Sequence, residues 1–420
     1  MMEFSINTTL LSALLSSITV QSLTLMMGLP LTAVAALLLV PIMLLVSECV
    51  AAFCRVSTRQ LSPTYTEPGN RVAILIPAHN EALEIGITLR SLLTQINPQD
   101  HLIVIADNCT DETAEIARRA GVTVLERYDI EHCGKGFALD VGFRYLQTNP
   151  PDVVVILDAD SQFSSGSYQV LVKEAMRWRT PIQATYLMEQ PVRPSVKDGI
   201  SAFAFLVKNL VRPLGLKRLG QACELMGTGM AFPWQVAMTV SFANDHIVED
   251  LKLGLDLSIA GFPPRYCPQA LVTSRLPKGE DAAKGQRKRW EHGYLSTMIE
   301  YVPRLVNQGL TQRRIDLLVS ATDLSILPLS LLVMLWGCLI LVAGLVAFLS
   351  GYFIPLALLI AAGAGLGVSI LLAWYRYGQA VLSLQQLAQV PLYVLWKIPL
   401  YLEFLINPEK RWVRTKRDST

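Results

Sequence analysis

Two long stretches without a charged residue constrain this chain more than any other feature of its sequence. One lies between Glu3 and Glu48, and the other extends from Leu324 to Tyr375. Each stretch is long enough for two spans, because a helix needs about 20 apolar residues to cross a bilayer. The segment between them has an ordinary composition, although 52% of the whole chain is hydrophobic. The sequence therefore predicts membrane helices on both sides of a globular domain.

The first apolar block contains a natural point of division. Gly28-Leu29-Pro30 favours a turn, so transmembrane helices are expected at 8–28 and 31–53, within an N-terminal part of residues 1–55. An alternative is one span preceded by a helix that lies in the membrane interface. The globular part is expected to cover residues 56–320.

The C-terminal part, residues 321–420, is expected to hold spans at 325–349 and 353–374. The segment 382–406 also contains Lys397, Glu403 and two prolines. It is therefore either an interfacial helix or a fifth span.

Basic residues follow both apolar blocks, although the net charge of the chain is only +2. By the positive-inside rule, both ends of the globular side face the cytoplasm. The basic residues are Arg55, Arg59, Arg71, Lys410, Arg411, Arg414, Lys416 and Arg417.

Short apolar strands alternate with helices in the first half of the globular part. The expected strands are 72–76, 102–106, 122–125 and 153–157, and the expected helices are 81–95, 112–120 and 137–147. This order is typical of an α/β, Rossmann-like domain whose mostly parallel sheet is covered on both faces. In such sheets the ligand binds beyond the carboxyl ends of the strands.

Two further segments, near 196–219 and 283–318, are expected to be interface helices. In the first, apolar residues alternate with Lys208, Arg212 and Lys217. This pattern is expected for a helix on a membrane surface, and the alternative is a core helix with a solvated basic face.

Polar residues recur where the apolar strands end. His79 and Glu81 follow the first strand, Asp107 follows the second, and Asp158-Ala159-Asp160 follows the strand at 153–157. Two carboxylates at this spacing suit Mg²⁺ or Mn²⁺ that also binds diphosphate oxygens. A strand-ending turn with a capping Asp is the alternative.

Lys135 lies between Gly134 and Gly136, just before an expected helix. Glycine lets a backbone approach a phosphate, and a helix N-terminus and an ammonium both attract an anion. The segment could equally be a turn with a solvated lysine.

Two more segments carry possible chemistry. Glu249-Asp250 lies near a helix start, where a carboxylate serves either as a general base or as a favourable helix-end charge. On a helix, Gln286, Arg289 and Trp290 share one face. They suit a diphosphate and a sugar ring, or else a basic helix facing the membrane.

Taken in order, these motifs resemble the membrane family 2 glycosyltransferases, over roughly residues 70–320. That family includes cellulose, chitin, hyaluronan and poly-N-acetylglucosamine synthases and ceramide glucosyltransferase. The motifs are Pro77-Ala78-His79-Asn80-Glu81, Asp107, Lys135-Gly136, Asp158-Ala159-Asp160, Glu249-Asp250 and Gln286-Arg287-Lys288-Arg289-Trp290.

The resemblance implies a GT-A fold, inverting chemistry, and Asp250 as the catalytic base. It implies Mg²⁺ or Mn²⁺ at Asp158 and Asp160. The donor-binding residues it implies are Pro77, His79, Glu81, Asp107, Lys135, Asp158, Gln286, Arg289 and Trp290. The acceptor pocket it implies consists of Gly227, Thr228, Gly229, Glu249 and Trp290. Val248 stands where many processive members have Thr, which leaves processivity open.

Three functions follow from this resemblance. The first is transfer of one sugar from a nucleotide donor, normally a UDP-sugar, to a lipid-linked or membrane-associated acceptor, in exopolysaccharide or glycolipid synthesis. The second is a processive synthase that extends and exports a β-linked polymer, and the third is a non-catalytic assembly subunit. The expected location is a bacterial inner membrane, with the lipid bilayer and no nucleic acid among the partners.

Overall fold

The computed structural model describes residues 24–54, 70–191, 194–275 and 280–406. Within these ranges an α/β domain lies between apolar helices near the two ends of the chain. Most of the predicted span 8–28 lies outside the described residues, as do Arg55, Arg59 and the basic tail.

The described residues form a mixed sheet in the order β3-β2-β1-β4-β7-β6-β8-β5. β1 is parallel to both β2 and β4, whereas β7 and β5 run antiparallel to their neighbours. The strands are β1 (Val72–Ala78), β2 (His101–Asp107), β3 (Thr123–Arg127), β4 (Val153–Ile156), β5 (Ser161–Phe163), β6 (Ile182–Glu189), β7 (Met230–Pro233) and β8 (Arg265–Arg275). The first four coincide with the predicted strands, so the predicted α/β fold class is confirmed.

Helices cover both faces of this sheet. Those of the globular part are α2 (Ile85–Leu93), α3 (Thr113–Arg119), α4 (Lys135–Leu146), α5 (Ser167–Trp178), α6 (Val196–Leu206), α7 (Arg212–Arg218), α8 (Trp234–Ala237), α9 (Glu249–Ile259), α10 (Glu280–Thr311) and α11 (Ile315–Leu324), and α1 (Leu29–Phe53) precedes them. After α11 come α12 (Leu329–Ser350), α13 (Ile354–Ala373), α14 (Leu384–Leu387) and α15 (Val390–Ile406). π-helical turns occupy Thr24–Gly28, Val207–Val211 and Trp374–Gly378.

The central strands are apolar throughout because both of their faces are buried. Ile74 and Val104 pack with Leu89 of α2 on one face. Leu75 and Ile105 pack with Phe143 of α4 on the other face. The side chains of these strands alternate between two cores, so each strand is a continuous run of apolar residues. Such runs can be recognised in the sequence.

Among the residues that the structure describes, four helices are long and apolar enough to cross a membrane by length and composition. They are Met26–Phe53, Val196–Arg218, Leu329–Ser350 and Ile354–Gly378. Three of them coincide with spans expected at 31–53, 325–349 and 353–374. The chain is therefore a membrane protein.

The helix Val196–Arg218 differs from a simple surface helix. Arg212 is buried and pairs with Glu48 of α1 and Asp323 of α11. Arg218 donates to the carbonyl oxygens of Ala51 and Ala52 at 2.7 and 2.6 Å, at the end of α1. Two of its basic side chains therefore bind protein groups instead of water. Arg218 binds carbonyl oxygens at the end of α1 that have no partner within that helix.

Candidate active site

A cavity of about 430 Å³ opens at the carboxyl edge of the parallel strands and continues between α6, α10 and α12. Most of the residues predicted for the site line it. They are Pro77, His79, Glu81, Asp107, Lys135, Asp158, Asp160, Gly227, Glu249, Asp250, Gln286, Arg289 and Trp290. The fold thus brings together side chains that are far apart in the sequence.

One end of the cavity is built on the ends of β1 and β2. The Nδ1 atom of His79 lies 2.6 Å from the carbonyl oxygen of Asp107. Arg127 donates to the Asp107 carboxylate at 2.6 Å, and both side chains are largely buried. Burial raises the pKa of Asp107, although Arg127 opposes that rise. Arg127 was not predicted, because an arginine at the end of a strand carries no local signal.

Glu81 lies at the same end of the cavity and is buried. Its backbone N–H donates to the hydroxyl of Thr113 at 2.7 Å, at the start of α3. Pro77 precedes it at the end of β1, so the strand end and a helix start hold this wall of the cavity in place.

Lys135 lies at the centre of the polar end. Its ammonium pairs with the Asp158 carboxylate and donates to the carbonyl oxygen of Gly227 at 2.6 Å. Burial lowers the pKa of Lys135, but the charges of Asp158 and Glu249 outweigh this effect, so its pKa is raised overall. The side chain therefore stays a cation within the site.

The glycine next to Lys135 has a different role from the one the sequence suggests. A Cβ atom on Gly136 would lie 2.5 Å from the carbonyl oxygen of Phe242 and 2.8 Å from that of Asn244. Gly136 is therefore needed where α4 packs against the 242–244 backbone.

The carboxylates of Asp158 and Asp160 both face the cavity. The backbone N–H of Asp158 donates to the buried hydroxyl of Thr228 at 3.0 Å, which fixes the end of β4. Among the described residues, no group of three or more His, Cys, Asp or Glu side chains could hold a metal ion. Two carboxylates suit a divalent cation that takes its remaining ligands from water and a diphosphate, so the residues fit a metal that binds together with a nucleotide.

Of the three residues predicted for the acceptor pocket at 227–229, only Gly227 lines the cavity. Thr228 lies behind the wall and is fully buried. Gly229 adopts φ +64°, and a Cβ atom there would lie 2.7 Å from the side chain of Val272. These two residues therefore support the wall from behind and do not face the cavity.

Gly227 faces the two adjacent carboxyl groups at the start of α9. It adopts φ +88°, and a Cβ atom there would lie 3.2 Å from Oδ2 of Asp250. Any side chain at this position would crowd the carboxylate, so glycine keeps the space beside Asp250 open.

The two carboxyl groups at the start of α9 have raised pKa values. Burial and the charge of Asp250 raise the pKa of Glu249 to about 7, and Lys135 partly offsets this rise. Burial also raises the pKa of Asp250, which Lys135 opposes. A carboxylate with a raised pKa is a better proton acceptor, which suits a general base.

The helix α10 closes the cavity from the side opposite the sheet. Gln286, Arg289 and Trp290 all line the cavity from this helix. The Trp290 ring lies 5.9 Å from that of Phe205 on α6. Phe205 and Tyr186, which also line the cavity, were not predicted, since isolated aromatic residues in helices and strands resemble ordinary core residues.

The cavity also reaches a membrane helix. It is lined by Ile326, Leu327 and Pro328, and by Leu329, the first residue of α12. The cavity therefore runs from the carboxylates at the sheet to the first turn of a helix long enough to cross a bilayer.

Comparison of the sequence with known proteins identifies the family of this chain. Residues 68–293 match the family described as Glycosyltransferase like family 2. The probable glycosyltransferase YdaM of Bacillus subtilis is 24% identical over 261 residues, which are 55% of this chain and 57% of that protein. The 4,4'-diaponeurosporenoate glycosyltransferase of Staphylococcus haemolyticus is 26% identical over 229 residues, 50% of this chain and 58% of that protein. The matches cover less than two thirds of either relative.

Among solved structures, the mannosyltransferase PcManGT from Pyrobaculum calidifontis, in complex with GDP-Man and Mn²⁺, has a similar fold. The TM-score is 0.55 at 17% identity, and the match covers 90% of this chain and 100% of that one. The shared architecture is the GT-A fold, which confirms the fold that the sequence motifs predict.

Proposed function

Because this chain belongs to the Glycosyltransferase like family 2, we propose that it transfers a sugar from a nucleotide donor, normally a UDP-sugar, to a lipid-linked or membrane-associated acceptor. The relatives named as glycosyltransferases and the GT-A fold support the transfer reaction. Exopolysaccharide or glycolipid synthesis is the setting proposed for it.

The observation that carries the proposal is the continuity of the cavity. Its polar end holds Asp158, Lys135 and Asp250, and its apolar end meets Leu329 at the start of α12. A nucleotide sugar fits the polar end, because a cation and two carboxylates that share a metal can hold a diphosphate. An acceptor with an apolar tail fits the other end, since it could remain in the bilayer while its hydroxyl reaches Asp250.

In this mechanism Asp250 accepts the proton of the acceptor hydroxyl as that oxygen attacks the anomeric carbon. Attack comes from the face opposite the diphosphate, so the configuration inverts. Lys135 and Arg289 stabilise the negative charge that develops on the departing diphosphate. Asp158 and Asp160 would hold a Mg²⁺ or Mn²⁺ ion, which neutralises charge on the diphosphate when it is bound.

A processive polysaccharide synthase is the second candidate. It is favoured by the Gln-x-x-Arg-Trp motif at 286–290, which resembles that of chain-extending members of the family, and Gln286, Arg289 and Trp290 all line the cavity. The two candidates share the donor site and differ only in whether the product stays in the cavity as the next acceptor.

The proposed location is a bacterial inner membrane with the α/β domain in the cytoplasm. Nucleotide sugars are made in the cytoplasm, so a donor site at the edge of the sheet must face that side.

The test is to incubate the detergent-purified protein with Mg²⁺ or Mn²⁺, radiolabelled nucleotide sugars and a bacterial lipid extract, and to size the products. A small product that partitions into organic solvent supports single transfer to a lipid. A high-molecular-weight product supports the synthase, and no labelled product from any donor would count against both.

A further inference from the structure

The helix α15 has its apolar side outward. Its outward side is mainly apolar, with Leu392, Leu395, Leu402 and Ile406 at 68%, 60%, 52% and 84% exposure, and it also carries Glu403, which pairs with Lys288 of α10. Its inward side consists of Tyr393, Val394, Lys397 and Tyr401, which are all buried. Helices on the surface of a water-soluble protein show the opposite arrangement.

This arrangement indicates that α15 contacts lipid on one side and protein on the other. Its 17 residues would span about 26 Å at about 1.5 Å per residue, which is short of the bilayer core. It packs beside α12, where the hydroxyl groups of Tyr401 and Ser330 lie 2.6 Å apart. Of the two interpretations that the sequence left open for 382–406, the structure favours the interfacial helix.

The inward side of α15 binds the helix that closes the cavity. The ammonium of Lys397 pairs with the carboxylate of Glu291 on α10, and both residues line the cavity. The ring Nε2 of His292 lies 3.2 Å from the carbonyl oxygen of Leu400. Lys288 and Glu403 form a second ion pair at 2.7 Å.

The two ion pairs between these helices differ in burial. The side chains of Lys397 and Glu291 are only 7% and 14% exposed, whereas the Glu403 side chain is 49% exposed. Removing one partner of a buried pair leaves an uncompensated charge, while an exposed pair contributes little. The Lys397–Glu291 pair is therefore the contact that can fix α10 against α15.

We propose that Lys397 is a positioning residue for sugar transfer, which acts through Glu291 to fix the rotation of α10 about its axis. Glu291 directly follows Trp290 and lies two residues after Arg289. Successive residues of a helix differ by about 100° in direction, so anchoring Glu291 sets where these two side chains point in the cavity. This inference rests on the proposed function.

The consequence is a link between the membrane surface and the catalytic site. The lipid-facing side of α15 sets the depth of that helix in the bilayer, and the Lys397–Glu291 pair transmits its position to α10. The side chains proposed to contact the diphosphate and the acceptor are thereby held in a fixed position relative to the apolar residues at the start of α12.

The first test compares Lys397→Met with Glu403→Gln, which breaks the exposed pair between the same helices. Since a misplacement of about 1 Å can cost about 100-fold in rate, we expect kcat of Lys397→Met to fall about tenfold or more. The donor KM should rise by a smaller factor, because Arg289 acts mainly on the charge that develops during transfer and the sheet edge also holds the donor. Glu403→Gln should behave as the wild type, and Lys397→Arg should keep most of the activity.

The second test uses a charge-swapped chain that carries both Lys397→Glu and Glu291→Lys. It should recover much of the kcat that either single change removes. Wild-type kcat in Lys397→Met, or a swapped chain no better than the single variants, would overturn the assignment.

Hydrogen exchange of the peptide covering residues 284–295, without substrate, gives a readout that does not depend on activity. Lys397→Met should lose protection there, while Glu403→Gln and a peptide from β1 should not change. Equal protection in the two variants would overturn the positioning role. Absence of transfer by the wild-type chain would count against the proposed function alone, since the exchange comparison is made without substrate.

Discussion

At the scale of single residues, the site depends on a few charged side chains that have different roles. Lys135 is held between Asp158 and the Gly227 carbonyl, so its charge points into the donor end. Asp250 lies beside the same glycine, and Glu249 precedes it. The charge of Lys135 therefore interacts with the carboxylates of both Asp158 and Asp250.

The substitution Asp160→Asn should weaken binding of the nucleotide sugar in the presence of Mg²⁺ or Mn²⁺. We expect the donor KM to rise roughly tenfold or more, since even the outer partners of metal ligands change metal affinity by about that factor. The measurement is the donor KM across a metal titration. Asp140→Asn, which removes an acid paired with Arg144 on α4, is the control and should show no change. Full activity of the wild-type chain in a chelator would contradict the metal site.

The pH dependence of transfer follows from the raised pKa values at the start of α9. A base must be deprotonated to accept a proton, and burial raises the pKa of Asp250, which also interacts with the neighbouring charge of Glu249. The rate should therefore fall as the pH is lowered through the raised pKa of Asp250, at a higher pH than an ordinary aspartate would give.

The substitution Glu249→Gln tests this explanation, because it removes a negative charge beside Asp250. The acidic limb of the kcat/KM profile should move to lower pH, since Asp250 would then lose its proton more easily. Asp140→Asn should leave the limb in place. An identical limb in Glu249→Gln and the wild type would contradict the coupling of the two carboxyl groups.

At the scale of elements, the helices near the membrane are joined by buried charges and not only by apolar packing. Arg212 binds Glu48 from α1 and Asp323 from α11, and Glu48 has no solvent exposure. Three elements that lie far apart in the sequence thus meet at one guanidinium. The network explains why a helix with several basic residues packs within the bundle.

Arg212→Met should destabilise the chain strongly, because it leaves two buried carboxylates without their partner. Breaking a buried charge pair typically costs about 3–5 kcal/mol. Thermal unfolding in detergent measures the effect, with Lys217→Met as the control, since Lys217 is exposed on the same helix. Equal unfolding temperatures for the two variants would show that the network contributes nothing.

The elements also show how far the sequence could predict the fold. The strands β1 to β4 were predicted because their residues are buried on both faces and form apolar runs. β8 has an alternating burial pattern and contains Pro268, and β5 has only three residues, so neither produces such a run. β8 pairs with β6, and β5 pairs with β8, across long sequence separations that local patterns do not report.

The candidate site was also predicted only in part from the sequence. The carboxylates at 107, 158 and 250 were found because polar residues that follow buried strands or begin helices stand out. Arg127 and Lys397 were not assigned to the site, since only the folded chain places them beside Asp107 and Glu291.

At the scale of the whole molecule, one cavity connects the polar residues at the sheet edge with apolar residues at the start of a membrane helix. The family match covers the α/β part, and the apolar helices lie largely outside it. The donor chemistry therefore belongs to the family, while the acceptor depends on how this chain arranges its helices.

The orientation of the α/β domain can be tested with one introduced cysteine. Ile130 is 88% exposed, so Ile130→Cys, in a chain whose seven native cysteines are replaced by alanine, should react with a membrane-impermeant maleimide. We expect labelling in inside-out membrane vesicles and none in intact cells. The reverse pattern would contradict the cytoplasmic placement.

Sugar transfer in this cavity, with Asp250 as the base, can be tested by one comparison. Transfer rate and UDP affinity are measured side by side for the wild type and Asp250→Asn. We expect the rate to fall by about 100-fold or more, as for loss of a general base, while UDP binds nearly as tightly as before. Equal loss of transfer and UDP binding, or an active Asp250→Asn chain, would contradict this role of Asp250.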